Sequence, residues 1–225
     1  MIIAGQNSSG QRQCISQTGD IIDEDVVAKK TYLGVCTDQI KSKRLWVDSS
    51  LSDSERVLFI KNSFKEISYS SVDYEIIDHD AGRDLLHGFA FLHKISQRNI
   101  AAVETDLHGL GRAIEWYHAP SGAYQCISIF ENSICLSVHN NKTLYFFVTL
   151  RYISKQEAIF AVRRAMEHYY VSQPINLGHC YLINFCQKQG LNIHTKIHFD
   201  APLTVVDGRH GWIIAYGLAR RGLDD

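Results

Sequence analysis

Eleven histidines and six cysteines are the residues of this 225-residue chain whose types suit metal binding or nucleophilic chemistry. Their spacing argues against both. No histidine sits in a His-Glu-x-x-His pattern, and no cysteine pair has zinc spacing. His194 and His198 share one face of a predicted strand, where four residues of separation is too far for one ion. Each lone histidine therefore reads as solvated or hydrogen-bonded in a core. Asp78-His79-Asp80 has the residue types of a triad fragment, but neighbours along a strand point to opposite faces, so a turn is the preferred reading. Cys14, Cys36, Cys126, Cys135, Cys180 and Cys186 form no Cys-x-x-Cys motif, and four of them lie in apolar runs, as reduced core thiols do. Arg163-Arg164 and Arg220-Arg221 read as solvated helix faces. The expectation is no catalytic set and no metal.

Composition excludes further classes. The 23 Lys and Arg balance 24 Asp and Glu, so no net field attracts nucleic acid or an anionic membrane surface. With 45% hydrophobic residues the chain builds a core rather than staying disordered. No apolar run approaches the roughly 20 residues that span a bilayer. The opening residues lack the basic flank and apolar stretch of a secretory signal. These features predict a cytoplasmic protein without direct membrane insertion.

The elements that must position any site follow from periodicity. Residues 1–29, rich in Gln, Ser, Gly and Asp, read as a weakly ordered arm or a short hairpin. Thr31 to Cys36 and Lys43 to Val47 read as a hairpin with a longer loop. Ser52-Asp53-Ser54-Glu55 is a capping box opening a helix with Val57, Ile60, Phe64 and Ile67 on one face. Val72 to Ile77 reads as a strand and Arg83 to Gln97 as a helix. Asn99 to Val103 is an apolar strand leading to a helix capped by Thr105 or Asp106 and ending near Tyr117. Pro120-Ser121-Gly122 breaks the chain. Three strands, Tyr124 to Phe130, Ile134 to His139 and Thr143 to Leu150, then form a meander through two tight turns. A helix over Gln156 to Tyr170 follows, then a strand at Cys180 to Phe185 and a turn or short helix at 187–190. Strands near 193–199 and 203–206 precede a closing small-residue helix, Trp212 to Arg220.

That order resembles the C-terminal lobe of the actin and Hsp70-like ATPase fold. Ile127 to Leu150, Val103-Glu104-Thr105-Asp106 with Leu110 and Arg112-Ala113, and Ala215-Tyr216-Gly217-Leu218-Ala219-Arg220-Arg221 resemble segments of the PilM, MshI, HofM and GspL group of pilus and secretion assembly proteins. The resemblance spans roughly Lys30 to Leu223. It implies an α/β, degenerate actin-like (ribonuclease H-like) two-lobed fold with mixed sheets and a shortened N-terminal lobe. The implied division is a 1–29 arm, a 30–102 first lobe with a small insertion subdomain, and a 103–225 second lobe.

The departures from that pattern bear on function. Actin-like ATPases wrap phosphates in two Gly-rich turns. In the first turn this chain has only Gln6-Asn7-Ser8-Ser9-Gly10. In the second, Ser128 replaces the Asp and Phe130 the Gly, and Asn184 and Phe185 stand where an adenosine-binding Gly-Gly is expected. A benzyl group where backbone must touch phosphate is a steric objection. ATP with magnesium is therefore disfavoured, and Glu104, Asp106, Ser128 and Asn132 are expected to line a degenerate cleft. For Asp106 a plain N-cap role is the favoured alternative.

The resemblance also implies a groove over Ser52 to Tyr74, with Phe59, Phe64, Tyr69 and Tyr74, that receives the N-terminal cytoplasmic tail of a bitopic inner-membrane pilus or secretion protein. Core packing of the same aromatics is an equal alternative. The function implied is a non-catalytic scaffold, peripheral to the inner membrane through its partner, with a motor ATPase as a further partner and a homodimer left open. The alternatives are a nucleotide-binding switch of the same machinery and an unrelated α/β enzyme.

Overall fold

The computed structural model describes residues 2–22, 26–92, 100–172, 176–186, 197–199, 201–207 and 212–224. In chain order the strands are Ile3–Gln6 (β1), Arg12–Ile15 (β2), Ile21–Ile22 (β3), Lys30–Val35 (β4), Ile40–Asp48 (β5), Ser71–Asp80 (β6), Arg83–Phe91 (β7), Ile100–Thr105 (β8), Tyr124–Ile129 (β9), Ser133–Asn140 (β10), Thr143–Arg151 (β11), His179–Asn184 (β12) and Leu203–Asp207 (β13). The α-helices are Asp53–Ser63 (α1), Asp106–His118 (α2), Lys155–Ser172 (α3) and Trp212–Asp224 (α4). The sequence readings at 93–99, 187–190 and 193–196 lie outside the described residues.

Three sheets result. The first has the order β3-β2-β1-β4-β8, the second β11-β10-β9-β12-β13, and a small sheet β5-β7-β6 is antiparallel throughout. The N-terminal residues are not a weakly ordered arm. They form the predicted hairpin, and β1 then pairs in parallel with β4 from Ile3 opposite Lys30. Ile3 and Ile15 are fully buried. Four-residue strands separated by polar turns carry too little apolar sequence to outweigh the turns in a composition reading.

Two further readings are corrected. Thr31 to Cys36 and Lys43 to Val47 do not pair, because β4 lies in the first sheet and β5 pairs with β7, Leu45 opposite Leu86. The helix read from Arg83 onward is strand β7 as far as Phe91. As the central strand of its sheet it is buried over nearly its whole length, and such a continuous apolar run satisfies helical and strand periods alike. The turn that sets its pairing is Ala81-Gly82, with φ of 46° and 80°, the paired left-handed geometry of a tight hairpin. Asp78-His79-Asp80 accordingly ends strand β6 rather than forming a turn, and His79 Nδ1 lies 2.7 Å from Asp84.

α1 lies on one face of the small sheet, with Ile60 and Phe64 against Val47, Leu86 and Ala90. Gly88 makes room for it, since a Cβ there would stand 2.6 Å from Ile60 Cδ1. α2 and α4 are packed between the first and second sheets. Leu110, Ile114, Ile214 and Leu218 meet Ile3, Ile15 and Tyr32 on one side and Tyr124, Cys126, Tyr181 and Ile183 on the other. The opposite face of the second sheet, Ile127, Leu136 and Leu182, is covered by Val162, Met166 and Tyr169 of α3. The closing helix thus returns to β1, β2 and β4 instead of staying with the meander alone. Its small residues explain the path: a Cβ on Gly217 would lie 1.7 Å from the Gly109 carbonyl oxygen, so the two helix backbones nearly touch.

Candidate functional site

The first of the two expected nucleotide turns is the β1–β2 hairpin. Asn7 folds it, its side-chain oxygen accepting from the Ser9 amide at 3.1 Å and the Gln11 amide at 2.9 Å, and Gly10 takes φ of 82°. At the strand-to-helix junction Thr105, not Asp106, is the N-cap, its hydroxyl accepting from the His108 amide at 3.2 Å. Asp106 is the first helical residue and is buried. Its carboxylate accepts from the Ser8 amide at 3.1 and 3.3 Å and from the Ser8 hydroxyl. Burial pushes the Asp106 carboxyl up to about 6, against the pull of the Ser8 bonds. Gly34 leaves the space, because a Cβ there would be 2.1 Å from Asp106 Oδ1. An amide that would face a phosphate in a nucleotide cradle is here turned onto the protein's own carboxylate.

The second turn is filled by rings. Phe130 and Phe185, at the positions where glycines are expected, stack with centroids 5.0 Å apart and planes 5° from parallel. The Phe130 amide donates to Ser133 and its carbonyl accepts from the Tyr152 hydroxyl. Ser128 is fully buried two residues earlier, and among the described residues its hydroxyl has no hydrogen-bond partner. Asn132 sits in the exposed β9–β10 turn, with its carbonyl accepting from the Tyr152 amide at 3.0 Å. None of Asp106, Ser128 and Asn132 lines the cavity that Glu104 faces.

Glu104 leads elsewhere. It lies at the floor of a cavity of about 340 Å³ between the small sheet and the β8–α2 junction. The Arg112 guanidinium grips it at 2.5 and 2.8 Å, and Arg221 of α4 donates to the same carboxylate. Burial pushes the Glu104 carboxyl up, but the hydrogen bond and charge of Arg112, with the charges of His108 and Arg221, hold it below the ordinary range. Beside it, His108 Nε2 donates to Glu75 at 3.0 Å while its Nδ1 lies 2.8 Å from the Thr105 hydroxyl. Burial alone would lower the His108 pKa; Glu75 and Glu104 outweigh it and raise it. Asp73, Tyr74, Phe89 and Phe91 of the small sheet complete that wall.

The cavity keeps its shape because the small sheet is stitched to the meander. Glu75 accepts from the Leu144 amide at 2.9 Å, His87 Nδ1 donates to the Leu144 carbonyl at 3.0 Å, and Arg44 donates to the Tyr145 carbonyl at 2.7 Å. Burial lowers the His87 pKa to about 4, so the ring is neutral at physiological pH.

The four aromatics expected to line a partner groove divide. Phe64 is 1% exposed and belongs to the core under α1, so it offers a partner no surface. The spacing that makes α1 amphipathic puts Phe64 on its buried face. Tyr69 packs against the same cluster, and Phe59 points outward on α1, 44% exposed. Tyr74 is among the cavity-lining residues, but its ring packs on the α1 face of the sheet and its hydroxyl donates to Asp53 at 2.8 Å. Sequence reasoning did not single out Asp73, Glu75 or His108, and it read Arg221 as part of a solvated helix face, whereas its guanidinium pairs with buried Glu104. The readable signal was the alternation of Asp73 and Glu75, which puts two carboxylates on one face of a strand. The cysteines are buried or nearly so, and burial pushes the Cys135 and Cys180 thiols up to about 12. Among the described residues no group of three or more His, Cys, Asp or Glu is placed to hold a metal. Among the same residues no helix is long and apolar enough to cross a membrane.

No family model matches the chain, and no curated protein matches it. Solved structures do. A chain of a structure described as the PilM-PilN type IV pilus biogenesis complex superposes over 100% of this chain and 98% of its own, with a TM-score of 0.70 at 9% identity. A Bacteroides thetaiotaomicron protein described as having an actin-like ATPase fold and unknown function matches over 95% of both chains, with a TM-score of 0.52 at 9% identity. The cytoplasmic domain of EpsL, an inner-membrane component of the Vibrio cholerae type II secretion system, matches over 100% of this chain and 94% of its own, with a TM-score of 0.51 at 8% identity. At these identities the likeness establishes architecture, and the chain has the mixed-sheet fold of these structures, the actin-like fold by which the Bacteroides protein is described.

Proposed function

We propose that this protein is a non-catalytic scaffold of a type IV pilus or type II secretion assembly complex, and that it holds a cytoplasmic segment of an inner-membrane protein in the cavity between the small sheet and α2. The observation that carries this reading is the whole-chain likeness to the PilM-PilN structure, with almost nothing of either chain left over. Two features of the site support it. The turns that an actin-like ATPase uses for nucleotide are occupied by Ser8 with Asp106 and by Phe130 with Phe185. The cavity, by contrast, is open and lies beside β6, the outer strand of its sheet, where an extended segment finds both side-chain pockets and strand backbone.

Photocrosslinking in cells tests the reading. A benzoylphenylalanine placed at Asp73, exposed on the cavity side of β6, is expected to capture the cytoplasmic segment of a bitopic inner-membrane protein, whereas the same reporter at Phe160, exposed on α3, is not. Equal capture from both positions, or none from Asp73, overturns it. A second reading, a nucleotide-dependent switch, draws on the buried Ser128 hydroxyl that lacks a partner. Titration of a fluorescent ATP analogue with magnesium separates the two: micromolar saturation favours the switch.

A further inference from the structure

We propose that the outward face of α3 is an interface between two copies of this chain, paired antiparallel about a two-fold axis at Phe160. It stands apart from the docking reading, because α3 covers the face of the second sheet opposite α2 and none of the described residues lining the cavity lies on it.

The inference comes from how α3 divides its residues. Ala158, Ala161, Val162, Ala165 and Met166 are buried against the second sheet. Gln156, Glu157, Phe160, Arg163, Arg164 and Glu167 recur every three or four residues on the other side, and all six are exposed. A solvated helix face carries polar groups, yet Phe160 stands 67% exposed in the middle of this one. Seven residues earlier, Ile153 is 95% exposed. Ser154 caps the helix, its hydroxyl accepting from the Glu157 amide at 3.2 Å, so Ile153 occupies the place from which an apolar side chain staples back onto the first turns, and it does not fold back. Charge identifies the occupant. Glu157 lies one turn before Phe160, fixed there by accepting from the Ile153 amide at 2.7 Å, and Arg163 and Arg164 lie one turn after it. Three and four residues beyond Glu157 come Phe160 and Ala161, so no cation occupies the positions from which a helix pairs its own acid. A second copy laid antiparallel, Phe160 against Phe160, brings Glu157 of each copy to the partner's Arg163 and Arg164, and symmetry makes that contact twice. A parallel pairing would set acid against acid, so the charges fix the orientation. The axis then buries two bare rings, with Ile153 near each end. One helix of 18 residues, about 27 Å long, buries less than a standard interface, so the dimer is weak and reversible.

Sedimentation velocity of the full chain over a concentration series reads this out. The parent is expected to pass from monomer to dimer at roughly 10–100 µM. Glu157→Arg, and Arg163→Glu combined with Arg164→Glu, each set like charges across the axis and are expected to weaken association roughly tenfold or more. An equal mixture of the two variants is expected to regain the parent's association, since both contacts are then complementary. Circular dichroism checks that the variants stay folded, and Phe160→Ser, which leaves the helix cap alone, is expected to weaken the dimer by a similar factor. A parent that stays monomeric, a dimer that the folded variants leave intact, or a mixture of folded variants that does not recover overturns the proposal. Benzoylphenylalanine at Phe160 is expected to link two copies of this chain in cells; capture of a different protein in their place overturns it as well.

Discussion

The β1–β2 turn and the cavity beside the small sheet both draw on the strand-to-helix junction at Glu104 to Asp106, yet they satisfy its carboxylates in opposite ways. Asp106 looks inward, closed off by the amide and hydroxyl of Ser8. Two residues earlier, Glu104 looks toward the other side, into a cavity that Asp73 and Glu75 also line. Asp106 is the first residue of α2, so it is the turn from strand into helix that separates the two destinations. One junction thus closes one carboxylate by internal bonding while a second, two residues away, faces open space and pairs with arginines.

Both regions depend on α2 and α4 crossing closely, so the largest effect comes from breaking that crossing. Gly217→Val puts carbon where the Gly109 carbonyl oxygen and the Ala113 amide stand, and backbone cannot turn aside as a side chain can. It is expected to cost more than about 3 kcal/mol, read as the loss of a cooperative thermal transition. If the variant melts like the parent, the two regions do not share this support.

Glu104→Gln acts on the cavity side alone. It leaves Arg112 and Arg221 with an amide in place of a carboxylate, and because Arg221 is about a quarter exposed the expected loss is only about 2–3 kcal/mol in urea unfolding. An unchanged midpoint would mean that solvent already screens the pair.

Asp106→Asn tests the closed side through pH. The folded carboxyl, at about 6, lies above its unfolded value of 3.8, so its contribution is fully present below the unfolded pKa and is lost as pH rises through 6. The parent is expected to lose about 2 kcal/mol between pH 4 and 7 from this group, and the variant to lack that component of the slope. Matching pH profiles would show that the Ser8 bonds fully offset the burial.

Phe130→Gly is the smallest change in stability, about 1–2 kcal/mol for a half-buried ring that loses one stacking partner. It sharpens the comparison most directly. With Ser8 still bound to Asp106, the variant is expected to gain no micromolar affinity for the ATP analogue; if it gains it, one ring rather than two filled turns is what closed the site.

Where the sequence was readable, the signals were short-range. The meander could be read because its turns carry their own chemistry, with Asn141 and Lys142 at φ of 49° and 68° joining β10 to β11. The α1 start could be read because Glu55 reaches back to the Ser52 amide at 2.8 Å. Phe130 was singled out from the second turn, but its stacking on Phe185 was not, since strand β12 brings that ring back from far along the chain. The cavity was missed for the same reason: Asp73, Glu104 and Arg221 come from three elements that only the packed molecule sets side by side.

By itself the sequence determined the caps, the hairpin turns, the apolar face of α1, and the absence of glycine at Phe130 and Phe185. Tertiary structure alone decided that residues 83–91 are a strand, that the N-terminal hairpin joins a sheet, and which carboxylate each arginine meets. A buried apolar run has no periodicity of its own to choose helix or strand, so neighbouring strands choose for it. Charges distant in the chain have no preferred partner until burial removes the water that screened them.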